Sequence, residues 1–128
     1  MKSSRVIIMV VVGLVVVGGA IAALGMKRSE RLEELSKQAS TEARYRKCDA
    51  YFKGSEADRK YVDEIFQYAN ERARDHLNGL FSPPPAPERY YATLYQMMVT
   101  QAKEAGKGDI AKSLHTWMLG QGYMDIKL

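Results

Sequence analysis

At 128 residues, with a formal net charge of +4 and a single cysteine, the chain is long enough for one small domain but excludes an intramolecular disulfide and a cysteine-built zinc site. Lys2 and Arg5 account for half of that charge and the remaining excess falls between Met26 and Lys53, so a sequence pI near 9.2 overstates the basicity of the C-terminal part. A nucleic-acid partner, which needs basic residues clustered on the folded domain, is not expected.

From Val6 to Gly25 the chain reads VIIMVVVGLVVVGGAIAALG, without a charge or a hydroxyl. A helix rising about 1.5 Å per residue would carry that run through about 30 Å, the thickness of a bilayer's hydrocarbon core. The sequence therefore predicts an N-terminal tail and transmembrane anchor over residues 1–25, a single-pass membrane protein. Two other readings compete: a buried helix of a soluble protein, and a cleavable secretory signal, with Lys2 and Arg5 as its basic end and Ala20, Ile21 and Ala22 as a small-x-small site. The length of the apolar run favours a retained anchor. Lys27, Arg28, Arg31, Lys37 and Arg44 follow the run and outnumber the charges before it, which places the soluble part on the cytoplasmic side of a plasma or inner membrane. A short basic N-terminus held inside would give the opposite orientation. Gly18 with Ala22 and Gly19 with Ala23 are four apart, the spacing at which a second transmembrane helix approaches closely. Lys27, Arg28 and Arg31 suit lipid headgroups.

Residues 26–53 are dense in Glu, Lys, Arg, Ala and Gln, with Leu32, Leu35, Ala39, Ala43 and Arg46 at steps of three and four. This predicts a juxtamembrane helix with a thin apolar stripe, a mostly solvated stalk leaning on a neighbour. Gly54 interrupts it, and Ser55 with Asp58 three residues later opens the next helix in the manner of a capping box. That helix carries Tyr61, Ile65, Ala69, Ala73, Leu77 and Leu80 along one stripe, flanked by Val62, Phe66 and Tyr68, with Gly79 as terminator. A Pro-rich connector at residues 82–87 lacks amide hydrogens and favours an extended backbone. Pro84 and Pro87 meet the minimal PxxP spacing, a weak signal beside the spacer reading, and Pro87 also suits the first position of a helix.

The helix from Glu88 to about Ala105 presents Tyr91, Leu94, Tyr95, Met98, Gln101 and Ala102 on one stripe, with Met97 and Val99 beside it. Gly106 and Gly108 end it. Asp109 is the expected cap of a last helix with Ile110, Ala111, Leu114, Trp117 and Met118 facing inward, stopped by Gly120 and Gly122. The pair has the length of one tetratricopeptide unit, with Gly108 and Asp109 at its turn. That repeat's aromatic and alanine positions do not fall into place and no second copy occurs, so the pair reads as a helical hairpin. Tyr123 to Leu128 form a tail that either docks on a partner or frays.

The fold class that follows is all-α: one transmembrane helix, a juxtamembrane helix, and a small helical domain of about three helices over residues 54–128. His76 and His115, the only histidines, sit on different helices at the edges of apolar stripes and read as boundary residues. Cys48 reads as a small buried apolar side chain. No phosphate loop, HExxH, haem motif or nucleophile elbow occurs, so no catalytic residue, cofactor, metal or small-molecule substrate is assigned. Tyr91, Tyr95, Met98, Trp117 and Met118 are of the residue types enriched at interfaces, although at helical spacing such stripes more often form core. The expected function is that of a non-catalytic accessory or structural subunit, anchoring or bridging parts of a larger membrane complex. Its partners would be integral membrane subunits, or a second copy through the span, and membrane lipids. The alternative is a membrane-tethered helical module that recruits a soluble partner through its proline segment or terminal hairpin. A third reading is a secreted helical protein.

Overall fold

The computed structural model describes residues 16–79 and 85–128, and within them the side chains from Arg28 onward. They form α1 (Val16–Glu42), α2 (Asp49–Phe52), α3 (Glu56–Leu77), α4 (Pro87–Glu104) and α5 (Gly108–Gly120), with one 3-10 turn at Arg44–Lys47 between α1 and α2. No strand occurs among the described residues, in keeping with the all-α expectation.

The single-pass membrane assignment does not hold. Among the described residues no helix is long and apolar enough to cross a membrane. In α1 the apolar stretch VVGGAIAALG, about ten residues, covers only about 15 Å before Lys27 and Arg28 begin a charged sequence. Residues 6–15 of the expected span lie outside the described residues. The cytoplasmic orientation, argued from charges flanking that span, falls with it. Gly18, Gly19, Ala22 and Ala23 lie in the helical backbone of α1, and their side chains are outside the described residues.

The stretch expected to be a solvated stalk is part of the core. Leu32 and Leu35 are completely buried and Ala39 nearly so, in one cluster with residues of α3, α4 and α5. Nor does one helix run through to Lys53. It stops at Glu42, where Ala43 adopts a left-handed φ of 45° and donates its N–H to the Ala39 carbonyl at 3.0 Å. That reversal lets the 3-10 turn bring Tyr45 and Cys48 inward. The Tyr45 ring stacks on Phe66 of α3 at 4.4 Å between centroids.

α3 begins as its sequence predicts, with Ser55 Oγ accepting the Asp58 N–H at 3.1 Å, and ends at Leu77, one residue before the Asn78 cap. Its buried face is Val62, Ile65, Phe66, Ala69, Asn70 and Ala73; Tyr61 and Leu77 are partly buried and Tyr68 is exposed. Leu80 and the first half of the proline connector, residues 82–84, lie outside the described residues, while Pro87 does occupy the first turn of α4.

α4 is the central helix, packed most extensively against α3 on one side and α5 on the other. Tyr90 to Tyr95 are buried in unbroken succession, so its N-terminal half is enclosed all round rather than along a stripe. Both α4 and α5 close with paired backbone bonds. After α5, Gly122 N–H meets the Leu119 carbonyl at 3.0 Å and Tyr123 N–H the Met118 carbonyl at 3.1 Å. This motif needs a left-handed residue, and Gly122, at φ +90°, supplies it without a Cβ penalty. The expected cap of α5 is displaced: Lys107 holds the N-cap position without a side-chain bond, and Asp109 lies in the first turn, where it favours the positive end of the helix dipole.

One polar group ties three helices together inside this core. Asn70 of α3 donates from Nδ2 to the Ser36 carbonyl at 3.0 Å and to Ser40 Oγ at 3.2 Å, both on α1. Its Oδ1 accepts the Tyr90 hydroxyl of α4 at 2.6 Å.

Candidate functional site

The residues singled out as core or interface come together where α4, α5 and the 3-10 turn meet, and most are core. Tyr91, Tyr95, Met98 and Met118 are buried and Trp117 is partly buried. Trp117 stands edge-on to Tyr95 at 4.8 Å, and Tyr91 stacks with Tyr95 at 6.0 Å. Burial raises the Tyr91 and Tyr95 phenols, which stay neutral at ordinary pH.

These rings form a seat for the C-terminal tail. Because Gly122 turns the chain back, Tyr123 reaches Tyr95 at 5.3 Å and Tyr91 at 6.3 Å. Arg44 closes the seat from the 3-10 turn: its guanidinium lies 4.7 Å from the Tyr91 centroid, and Nη1 donates to the Tyr123 hydroxyl at 3.1 Å. Its Nε also bonds the Glu42 carboxylate, which holds that carboxyl below its usual range. Two residues further along the tail, Asp125 Oδ1 accepts the His115 Nε2–H of α5 at 2.6 Å. The tail therefore docks on its own chain, through one aromatic and one acidic side chain.

Beside the tail a groove of about 710 Å³ runs between α4 and α5, lined by Gln96, Val99 and Lys103, by Ala111 and His115, and by Ile126 of the tail. The Gln96 side-chain oxygen is buried there without a hydrogen-bond partner. A second cavity of about 420 Å³ lies between the 3-10 turn and α5, bordered by Cys48, Lys112, Ser113 and Trp117. Burial pushes the Cys48 thiol up, so it is a poor nucleophile. On the opposite side of the 3-10 turn, Asp63 of α3 accepts the Tyr45 hydroxyl, the Tyr51 hydroxyl at 3.2 Å and Arg46 Nε at 3.4 Å. The Tyr45 phenol is raised, first by burial and then by this carboxylate. The arrangement holds the turn against α3.

Two of the residues expected at lipid headgroups are engaged within the protein. Arg28 is 5% exposed and its Nε donates to Asn78 Oδ1 at 3.0 Å, at the far end of α3. Arg31 pairs with Glu34 at 3.5 Å, one turn along. The Lys27 side chain lies outside the described residues. His76 is exposed on α3, and His115 faces Asp125. Among the described residues, no group of three His, Cys, Asp or Glu side chains stands where it could hold a metal ion.

Comparison with family models, with curated proteins and with solved structures finds no match to this chain. The site therefore rests on its own geometry. Arg44, His115, Tyr123 and Asp125 were not read from the sequence as a unit, because the 3-10 turn and the tail lie about eighty residues apart. The one local signal is Gly122, which ends α5 and sends Tyr123 back across it.

Proposed function

We propose that this chain is a non-catalytic accessory subunit of a larger protein assembly, acting by covering and bridging partner surfaces. The observation that carries the reading is the contrast between its two ends. The sequence Val6 to Gly25 has no charge or hydroxyl, yet it leads directly into a small helical body with a charged surface. A 20-residue apolar stretch is costly to leave in water, at about 25 cal/mol per Å² of apolar surface, and a protein partner supplies the cover it needs. The helical body adds exposed Phe52, Leu119 and Met124 as further contact points.

Purification of the full chain from its native source, followed by native mass measurement, tests this. Partner chains in fixed stoichiometry are the expected result. A monodisperse monomer without partners would sink the reading. The alternative, a helical module that recruits one partner reversibly, is favoured by the open groove between α4 and α5. It predicts a complex that dissociates on dilution rather than one of fixed composition.

A further inference from the structure

We propose that the groove between α4 and α5 is a docking site for an extended acidic segment of a partner protein, and that the C-terminal tail occupies its edge as an internal stand-in. This rests on the chain being an interaction subunit and names the chemistry of one of its contacts.

Three features of the groove specify the occupant. It stays open beside the tail, at about 710 Å³, within the range of sites that take small ligands and short peptides. The Gln96 side chain lines the groove and its amide oxygen, covered by neighbouring atoms, has no hydrogen-bond partner; turned into the groove it would accept a peptide N–H. The border that remains when the tail leaves is basic: Lys103 of α4 and Lys112 of α5 stand on it beside His115, with no carboxylate among the helix residues that line it. An incoming carboxylate is therefore drawn in, and a cationic segment is repelled.

The tail shows how such a segment sits. Tyr123 and Asp125, two apart, reach the aromatic seat and His115. Ile126 lines the groove together with Val99. The rest of the tail is loosely held: Met124 is 77% exposed and Leu128 is nearly half exposed. Its occupancy comes from tethering. A segment joined by a short linker acts at an effective concentration of about millimolar, so a free peptide at micromolar concentration is excluded until the tail is weakened.

The test uses fluorescein-labelled synthetic peptides with the sequence of residues 120–128, one unaltered and others carrying Lys127→Glu or Asp125→Lys. Anisotropy is read against the full chain, the full chain with Asp125→Lys, and a chain ending at Gly122. Weakening or removing the tail is expected to raise affinity for the unaltered peptide by at least about tenfold. The Lys127→Glu peptide should bind tighter still, the Asp125→Lys peptide should not bind, and His115→Ala in the chain ending at Gly122 should cut binding several-fold. Helical circular dichroism retained with no binding, or equal binding of the Asp125→Lys peptide, overturns the proposal. If both tail variants lose their helical signal, the tail is a structural strut and the proposal is also overturned. Fixed-stoichiometry partners in the native preparation, together with peptides that fail, would leave the accessory-subunit reading standing and move its contact elsewhere.

Discussion

Two of the polar arrangements that hold this chain to itself differ in depth. The Asn70 knot lies inside the core and joins α1, α3 and α4 through the Ser36 carbonyl, Ser40 and Tyr90. The tail clasp lies at the surface and joins Arg44 to Tyr123 and His115 to Asp125. Their bond lengths are similar, yet their worth is not. A buried group that loses its partner keeps its desolvation cost, whereas an exposed one returns to water. The knot therefore belongs to the fold and the clasp is free to open.

The largest test of this contrast is alkaline pH. Burial raises the phenols of Tyr45, Tyr90, Tyr91 and Tyr95 above the ordinary value of about 10. Above that pH the unfolded chain gives up protons that the folded chain retains. Stability is thus intact below about pH 10 and falls as pH rises toward the folded-state values. Tyrosine absorbance and helical circular dichroism followed together should show these phenols ionising only as the helices melt. Ionisation well before any loss of helix would mean that the rings are solvated.

Next comes Leu35→Ala, which decides whether α1 belongs to the body. Leu35 is completely buried, so truncation should cost about 2–5 kcal/mol in a thermal or urea melt. A stalk residue would leave the midpoint where it was. Asn70→Ala should cost about 1–3 kcal/mol, because it removes both bonds to α1 and leaves the Tyr90 hydroxyl only the residue-70 carbonyl, at 3.2 Å. If Asn70→Ala melts with the unaltered chain, water replaces the knot and the contrast with the tail collapses.

How much of this was legible in the sequence follows from the range of each signal. Ser55, Pro87 and the stop after α5 at Gly120 are local, and each does in the fold what its position foretold. The stripe of Leu32, Leu35 and Ala39 was visible, but two leucines and an alanine among charges do not reveal what covers them. In the fold, α3 and α4 do. Asn70 was passed over because a polar residue beside an apolar stripe reads as its edge; only the serines of α1, thirty or more residues away, place it inside. The apolar run at the N-terminus was read by composition alone, and the part of it in α1 is too short to span a bilayer. Of the tail clasp only the turn at Gly122 was legible, since neither the pairing of Arg44 with Tyr123 nor that of His115 with Asp125 has a periodicity.

A smaller and opposite effect is expected at Ala43. A left-handed φ of 45° costs an L-residue with a Cβ about 1 kcal/mol or more, and glycine returns part of that through its greater unfolded freedom. Ala43→Gly should therefore stabilise the chain by about 0.5–1 kcal/mol, read as a raised urea midpoint. No gain would indicate that the turn after α1 relaxes without strain.

The smallest effect on stability, and the sharpest on the contrast itself, belongs to Asp125→Asn. Exposed pairs of this kind contribute about 0–1 kcal/mol, so the melting midpoint should barely move. The tail should nevertheless open more often, because the His115 Nε2–H loses its charged acceptor while the rings beneath Tyr123 are untouched. Trimming by carboxypeptidase reads that opening directly: release of Leu128 and Lys127 should quicken several-fold in Asp125→Asn and remain at the original rate in Ala43→Gly. Unchanged trimming would mean that Tyr123 alone holds the tail. The aromatic seat would then be the clasp, and the His115 contact only a consequence of where the seat aims the chain.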